Sequence, residues 1–440
     1  MNDDPVDSRP YCFCYNCPIV NSFQTITLGI FGFFIIVGLL VVATVKSNGR
    51  DSKVSIAVWG SRPRAEMSVL TSRFFENNKT ISVSYREVRE ENLDQVLLEA
   101  LAVGKGPDLV ILPLELLLRN RDKISPIPYT NYSKRTFLDT FVQEGDLFLQ
   151  ENGIAALPFT LDPLVMYWNR DFLDEAGLTT PPKYWDEFLE LANNITERDE
   201  EDNISRGAIA LGEYENVNSA KEILSALFLQ SGSQIFGYDA QGVLRADLRS
   251  KTAGPVLDFY TEFANPLKPV YSWNRSLPES KEQFLASRLA VYLGFGSEYV
   301  ELQKGNPNLN FDVTLLPRPR NASVGITYGK MTGVALLRSS RKASVALQVA
   351  LILGSPEASG LLHGKNGLPP VHRNLLSNKP DDAFGAVMYD SASRARGFLD
   401  PNPALSKKIF KDMVESVTSG REHSTGALLE ANQALENAVR

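Results

Sequence analysis

The sequence predicts an α/β fold that is divided over two lobes and preceded by a single transmembrane helix. Three observations lead to this prediction. The chain has 440 residues, which is too long for one ordinary hydrophobic core. A long uncharged apolar run lies near its start, and strand-like and helix-like segments alternate after that run. Hydrophobic residues make up 43% and charged residues 22% of the chain, as is normal for a folded globular protein.

The apolar run is the first predicted element. Residues 26–45 form a stretch of 20 almost wholly apolar residues. A helix of this length covers about 30 Å, which is the thickness of the hydrocarbon core of a bilayer. A cleaved signal peptide has a shorter apolar stretch behind a basic start, whereas the short tail at 1–25 is net acidic. We therefore predict an uncleaved, single-pass membrane anchor.

The charges that flank this run conflict with one part of the prediction. Lys46, Arg50 and Lys53 lie in or directly after a polar linker at 46–52. By the positive-inside rule they would place the following domain in the cytoplasm, although large domains are translocated largely regardless of such charges. We nevertheless expect the C-terminal domain to face outside the cytoplasm.

All three cysteines lie in the tail, at Cys12, Cys14 and Cys17. The rest of the chain can therefore form no disulfide and no thiolate metal site. The CFCYNC cluster is compatible with a metal half-site, with a palmitoylation target or with an ordinary cytoplasmic tail. The net charge of −7 and the absence of a basic stripe argue against a nucleic-acid partner.

The segments after the linker alternate between apolar, β-branched runs and runs with helical spacing. This alternation is typical of an α/β domain with a mainly parallel sheet. From about residue 377 onward the chain is predicted to be mostly helical. The predicted strands are 54–60, 81–88, 108–113, 154–160, 164–168, 206–212, 288–296 and 327–337, and the predicted helices are 65–75, 92–106, 185–194 and 220–232.

The sequence contains no recognisable catalytic or metal-binding motif. The three histidines, His363, His372 and His423, are not spaced as paired zinc ligands. The nucleophile-elbow, phosphate-loop, zinc-protease and complete dinucleotide-binding motifs are absent from the sequence. We predict no catalytic residue, no metal and no cofactor, and hence a protein that is not an enzyme. A surface glycoside hydrolase, the less favoured alternative, would need two carboxylates that converge in one cleft.

Residues 156–188 resemble the hallmark segment of the family 1 extracellular solute-binding proteins, the sugar-type receptors of ABC importers. The segment holds an ALP strand, an apolar strand that ends in Trp168-Asn169-Arg170-Asp171, an AGL turn, a Pro-Pro pair and the run WDEF. Shorter matches lie before and after this segment in the family's order, so that the resemblance covers roughly 53–440. The family usually has Tyr-Asn at the strand end and is secreted or lipid-anchored.

The resemblance implies a periplasmic-binding-protein-like fold of type II, in which two lobes are joined by crossing hinge strands. It places 53–161 and 297–345 in lobe 1, and 162–296 and 346–440 in lobe 2. A small solute, a sugar or an oligosaccharide, would bind in the cleft between the lobes and be delivered to the permease subunits of an ABC transporter. A ligand-sensing receptor for a separate signalling protein is an alternative.

The resemblance also implies a set of ligand-binding residues. Trp168 and Trp185 belong to hallmark positions that pack inside a lobe, whereas Trp59 and Trp273 are equally compatible with the cleft and with a core. Asp162 either contacts the solute or braces the turn before Pro163, and Glu115 is alternatively a solvated helix start. The implied binding residues are Trp59, Gly60, Ser61, Pro113, Glu115, Asp162, Gln230, Ser231, Trp273, Phe295, Gly296, Ser297, Tyr328 and Gly329.

Overall fold

The computed structural model describes residues 53–439. The predicted tail at 1–25 with its cysteines, the predicted transmembrane helix at 26–45 and the linker at 46–52 all lie outside the described residues. Among residues 53–439 no single helix is both long enough and apolar enough to cross a membrane. Ala343–Leu353 and Pro356–Asn366 reach that length and composition only as a pair, and they are bent by 55° where they meet.

The first part of the described chain alternates strands with helices, as predicted. β2 and β3 both pair with β1 in parallel, so the carboxyl ends of all three strands lie at one edge of the sheet. The elements are β1 (Val54–Gly60), α1 (Arg64–Phe75), β2 (Ile81–Glu87), α2 (Glu90–Ala102), β3 (Leu109–Pro113), a 3₁₀ helix (Leu114–Leu116), α3 (Lys134–Thr140), a second 3₁₀ helix (Gln143–Phe148), β4 (Leu149–Gln150) and β5 (Gly153–Ile154).

A single strand, β6 (Leu157–Asn169), replaces the two strands predicted at 154–160 and 164–168. Its first half pairs with β13 (Thr327–Leu336) as far as Pro163, and its second half pairs with β11 (Leu289–Phe295) from Leu164 onward. Proline lacks a backbone N–H and usually interrupts a strand. Here Pro163 lies where the strand changes partners, so the strand continues through it.

The middle of the chain forms the second half of the sheet and its helices. β11 pairs in parallel with β8 and antiparallel with β6, and β12 pairs with the second half of β6. The remaining elements up to β13 are α4 (Arg170–Glu175), α5 (Glu187–Ile195), β7 (Glu197–Arg198), β8 (Ile204–Ile209), α6 (Ala220–Gln230), β9 (Phe236–Tyr238), β10 (Leu244–Ala246), α7 (Ala253–Glu262), α8 (Ser280–Leu285), a third 3₁₀ helix (Gly296–Glu298), α9 (Tyr299–Gly305) and β12 (Phe311–Thr314).

The last part of the chain is mostly helical, as predicted. Polar side chains cap the first turns of three of its helices: Ser355 and Asn402 each stand just before a proline at the first helical position, and Asp382 accepts a hydrogen bond from Gly385 N–H. The elements are α10 (Ala343–Leu353), α11 (Pro356–Asn366), α12 (Arg373–Leu376), α13 (Ala383–Arg394), β14 (Ala395–Arg396), α14 (Pro403–Thr418) and α15 (Ser424–Val439).

The main sheet runs in the order β2-β1-β3-β13-β6-β11-β8-β7, with β12 and β14 attached at its side. It is mixed rather than mainly parallel as predicted. The crossing strands β6 and β13 run antiparallel to each other, and each is antiparallel to its neighbour on the outer side as well. Strands that connect two lobes need not be followed by the crossover helices that keep a sheet parallel.

Two separate hydrophobic cores define the two lobes. The core of lobe 1 ends in β6 at Leu161 and that of lobe 2 begins at Leu164, while in β13 the change falls between Tyr328 and Met331. Two of the later segments contribute to a different core from the one that the predicted division of the lobes implies. Residues 302–316 contribute to the core of lobe 2, because β12 pairs with the lobe 2 half of β6. The buried apolar residues between 346 and 376, except Leu368, contribute to the core of lobe 1, because the chain leaves β13 on that side.

Candidate functional site

The two crossing strands form the floor of a cleft between the lobes. Thr160 and Asp162 alternate along β6, and Lys330 and Thr332 alternate along β13, so each pair lies on one face of its strand. The register pairs Asp162 with Lys330 and Thr160 with Thr332, and the two threonine hydroxyls are 2.7 Å apart. All four residues line one cavity. The floor is therefore a patch of four polar side chains in otherwise apolar strands.

Lobe 1 contributes the residues at the carboxyl ends of its parallel strands, where α/β sheets commonly bind ligands. Ser61 and Arg62 follow β1, and Glu90 begins the helix after β2. Pro113 ends β3, and Glu115 lies in the 3₁₀ helix that follows it. All five residues line the cavity. A side chain on Gly60 would lie 2.8 Å from Cβ of Ile111, so glycine allows β1 and β3 to approach closely here. Gly60 itself does not line the cavity.

Two hydrogen bonds connect lobe 2 with the cleft, one to the wall of lobe 1 and one to the floor. The hydroxyl of Tyr328 donates to Oε1 of Glu115 at 3.1 Å. The backbone N–H of Ser297 donates to Oδ1 of Asp162 at 3.0 Å. The first bond joins the cores of the two lobes, and the second fixes the Asp162 carboxylate against the end of β11.

Burial changes the acidity of the cleft residues. Removal from water raises the pKa of Asp162 from 3.8 to about 6, although the hydrogen bond from Ser297 opposes this change. Burial likewise raises the pKa of Glu115, against the attraction of Lys221. Burial is also the main reason that the pKa of Tyr328 lies well above its ordinary value. The tyrosine is therefore a hydrogen-bond donor at neutral pH.

The cavity is small in the described conformation. It encloses about 80 Å³, whereas pockets for small organic ligands are typically ~300–1,000 Å³. A solute larger than a few water molecules would thus require the lobes to move apart. The crossing strands are the element about which such a movement would occur.

A buried carboxyl group lies directly behind the floor. Glu144 is 1% exposed, and neither of its carboxyl oxygens has a hydrogen-bond partner among the described residues. A side chain on Gly329 would come within 2.1 Å of its Oε2. Burial holds the pKa of Glu144 well above its ordinary value, against the attraction of Arg396. The close approach of Glu144 therefore requires a glycine at position 329, and the same residue also lines the cavity.

The structure brings six of the predicted binding residues to the cavity wall and places two more directly beside it. Phe295 and Ser297 lie next to Lys330 and Asp162, with the Lys330 ammonium 4.1 Å from the centroid of the Phe295 ring. Gly296 packs against Met388. The six residues that line the cavity are Ser61, Pro113, Glu115, Asp162, Tyr328 and Gly329.

Four predicted residues are held elsewhere by contacts within a lobe. Trp59 is 8% exposed, and its ring is covered by the Arg86 guanidinium at 4.4 Å. Trp273 is completely buried in the lobe 2 core.

The other two are Gln230 and Ser231. Gln230 accepts the indole N–H of Trp185 and donates to the carbonyls of Pro317 and Ile326. Ser231 donates to the Phe228 carbonyl at 2.8 Å. The hydrogen bonds of Gln230 and Ser231 thus stabilise lobe 2, and neither side chain lines the cavity.

The predicted set omits several residues that line the cavity. Thr160, Lys330 and Thr332 on the floor and Arg62 and Glu90 on the wall of lobe 1 are the polar ones. A signal for the floor residues exists in the sequence, since a polar residue at every second position in an apolar strand indicates one polar face. No comparable signal identifies Arg62 or Glu90, because charged residues after strands are common in loops.

Two α/β lobes that are joined by crossing strands, with a polar cleft at the crossing, define a two-lobed binding protein. The chain belongs to the bacterial extracellular solute-binding protein family, whose model matches residues 59–349. It is 20% identical over 376 residues to binding proteins of Brucella abortus (strain 2308) and Brucella suis biovar 1 (strain 1330). The match covers 81% of this chain and 86% of each relative.

Solved structures of binding proteins share the fold. A cyclo/maltodextrin-binding protein complexed with maltotetraose has a TM-score of 0.73 at 16% identity, with 90% of this chain and 99% of that chain covered. The sugar-binding protein MalE of Xanthomonas citri has a TM-score of 0.71 at 20% identity, with 88% and 97% covered. A solute-binding protein of Thermotoga lettingae bound to α-D-tagatose has a TM-score of 0.68 at 19% identity, with 88% and 100% covered. These similarities establish the two-lobed fold.

Proposed function

We propose that the chain is a membrane-anchored, extracytoplasmic receptor that binds a saccharide in the cleft between its lobes. The cleft itself is the main support for this proposal. Side chains from both lobes converge on the crossing strands, and the hydrogen bond between Tyr328 and Glu115 connects the two lobes. Movement of the lobes about β6 and β13 would open the cleft to solvent and close it around a solute.

The chemistry of the lining favours a solute rich in hydroxyl groups. Asp162 and Glu115 are carboxyl groups that accept hydrogen bonds, and Thr160 and Thr332 both donate and accept. Solved structures with the same fold are described as bound to maltotetraose, to maltotriose and to α-D-tagatose. Both observations support a sugar or an oligosaccharide as the solute.

We further propose delivery of the bound solute to the permease subunits of an ABC importer. In this proposal the helix predicted at 26–45 anchors the receptor beside its transporter, with the lobes outside the cytoplasm. The extracellular character of the family supports this side of the membrane. Protease treatment of intact cells tests it: the lobes should be degraded while a cytoplasmic marker survives, and their protection would contradict the proposed orientation.

Binding can be measured by titrating the full-length chain, purified in detergent, with a panel of mono- and oligosaccharides in a calorimeter. A ligand at 100 times its dissociation constant should also stabilise the folded state by about 2.7 kcal/mol in thermal unfolding. Thr160→Val should weaken binding, because it removes a hydroxyl from the cleft floor. Thr261→Val is a matched control, since the Thr261 hydroxyl donates to a carbonyl within α7. A panel in which peptides or polyamines bind and saccharides do not would contradict the proposal.

The same preparation tests for hydrolysis. Glu115 and Asp162 line one cavity, so a pair of carboxyl groups is present. We expect no turnover of chromogenic glycosides, because the relatives are binding proteins. Turnover that is abolished by Asp162→Asn would instead show a glycoside hydrolase.

A further inference from the structure

Lys330 is a charged residue on the floor of the cleft whose ammonium group forms no ion pair with another described residue. Its side chain is exposed, and its Nζ lies 4.1 Å from the centroid of the Phe295 ring. Asp162 is its partner in the strand register, yet within residues 53–439 no carboxylate lies within ion-pair distance of Nζ and no acceptor takes a hydrogen bond from it.

Three of the other four charged groups of the lining have partners of their own, whereas the fourth, Glu90, forms no ion pair within residues 53–439. Arg62 forms an ion pair with Glu66 at 2.7 Å. Asp162 accepts the N–H of Ser297, and Glu115 accepts the hydroxyl of Tyr328. Lys330 is thus the one cation lining this cavity that has no ion pair among the described residues. An ammonium group with open donor positions in a cleft is suited to bind an anion.

Burial raises the pKa of both Glu115 and Asp162, and the attraction of Lys330 opposes this change at each of them. Because the pKa of Asp162 is raised to about 6, an anion would meet less repulsion from it near or below this pH than from an exposed aspartate. Glu90 is the third acid of the lining, and it lies at the start of α2 in lobe 1.

Aromatic stacking, the usual way to bind the apolar face of a neutral sugar, is little developed in this cleft. None of the four tryptophans lines the cavity, and Trp59 and Trp273 are covered as described above. The one aromatic lining residue, Tyr328, is buried and its hydroxyl is bonded to Glu115. The nearby Phe295 ring is covered by the Lys330 ammonium.

We infer that the solute is an anionic saccharide, and that Lys330 selects it by binding its negatively charged group. The inference rests on the proposed function and specifies the chemical class of solute for the same cleft. The anionic group is a carboxylate or a phosphate on the sugar, both of which an ammonium group binds as a point charge. Neutral sugars of the same size would lack this contact.

The test is a titration of the full-length chain with matched pairs of sugars. The probes are D-galacturonate, D-glucuronate and their oligomers, D-glucose 6-phosphate, and the corresponding neutral sugars. We expect an acidic member of a pair to bind at least about tenfold more tightly than its neutral counterpart, and to lose most of this preference at high salt. Carboxylate and phosphate probes distinguish the two sources of charge.

Two variants connect the preference to Lys330. Lys330→Gln should remove the preference for the acidic sugar, and Lys330→Arg should largely retain it, because the charge remains. A merely structural role of Lys330 would lower the affinity for the acidic and the neutral sugar alike. Arg121→Gln is a surface control, since this exposed residue does not line the cavity.

The possible results are distinct. Tighter binding of an acidic sugar that depends on the charge at position 330 supports the inference. Equal or tighter binding of the neutral sugars, or a preference that survives in Lys330→Gln, overturns the inference and leaves the proposed saccharide receptor intact. Binding of neither kind of sugar overturns the proposed function together with the inference.

Discussion

Two clusters of charged residues lie close to the cleft, and they differ in how their charges are satisfied. In the interior of lobe 2, Nζ of Lys221 lies 2.7 Å from Oδ2 of Asp400, and both side chains are almost completely buried. The other oxygen of Asp400 accepts the hydroxyl of Ser406 and the N–H of Asn402. On the cleft floor, Asp162 and Lys330 are register partners but form no ion pair.

This difference separates the charges that maintain the fold from those that are available to a ligand. A buried ion pair whose two carboxylate oxygens both accept hydrogen bonds is not accessible to a solute, whereas a charged group in a cavity that forms no ion pair can still bind one. Removal of one member of each cluster should accordingly affect different properties of the protein, namely stability for lobe 2 and binding or its pH dependence for the floor.

The largest effect on stability is expected for Lys221→Met. This change leaves the carboxylate of Asp400 buried without its cation, and the free energy of unfolding should fall by about 3–5 kcal/mol. The measurement is a urea titration followed by circular dichroism. The double variant Lys221→Met/Asp400→Asn should recover much of the loss, because it removes the uncompensated charge.

Arg73→Met is the matched control for this experiment. Arg73 forms an ion pair with Glu357 at 2.9 Å, with both side chains more than half exposed. Exposed pairs contribute only about 0–1 kcal/mol, so this change should lower the free energy of unfolding by less than about 1 kcal/mol. Equal losses for Arg73→Met and Lys221→Met would contradict the distinction drawn between the two environments.

Most of the fold could be predicted from the sequence because local patterns determine its elements. The predicted strand at 54–60 coincides with β1, and the strand predicted at 327–337 is β13 within one residue. The path of the chain between lobes could not be predicted in the same way. The two strands predicted around Pro163 are one strand, because its change of partner depends on tertiary structure. The prediction for 26–45 stays a prediction.

The site residues that lie at the ends of strands could be predicted from the sequence. Those whose position depends on packing could not. Ser61, Pro113 and Glu115 follow strands of lobe 1 and line the cavity. Trp273 has the residue type expected in a sugar-binding cleft, but its indole N–H donates to Asn216 inside lobe 2 at 3.1 Å. The sequence does not show whether a tryptophan packs in a core or lines a cleft. Only the three-dimensional contacts separate the two cases.

An intermediate effect is expected for the pH dependence of stability in Asp162→Asn. Burial raises the pKa of Asp162 from 3.8 to about 6, so the folded protein binds a proton there more readily than the unfolded chain between these pH values. The wild-type free energy of unfolding should therefore decrease as the pH rises from about 4 to about 6. Asp162→Asn should lessen this decrease by about 1–2 kcal/mol.

Urea titrations of both proteins across this pH range provide the measurement. The buried Glu144, whose pKa is also raised, contributes a decrease of the same sign in both proteins. Only the difference between the two curves thus reports on Asp162. Parallel curves for the wild type and the variant would show that folding does not raise the pKa of Asp162.

The smallest effect on stability, and the most specific one for the cleft, is expected for Tyr328→Phe. The change removes the hydrogen bond between the Tyr328 hydroxyl and Glu115 across the two lobes, and the free energy of unfolding should fall by about 1 kcal/mol. Tyr260→Phe is a matched control, because the hydroxyl of this buried residue donates to the Glu213 carbonyl within lobe 2 at 2.7 Å. The two variants should lose similar stability, but only Tyr328→Phe should open the lobes further in small-angle X-ray scattering and change the affinity for the solute. If both variants left the scattering profile unchanged, the bond between Tyr328 and Glu115 would not hold the lobes together, and the contacts at β6 and β13 alone would determine their separation.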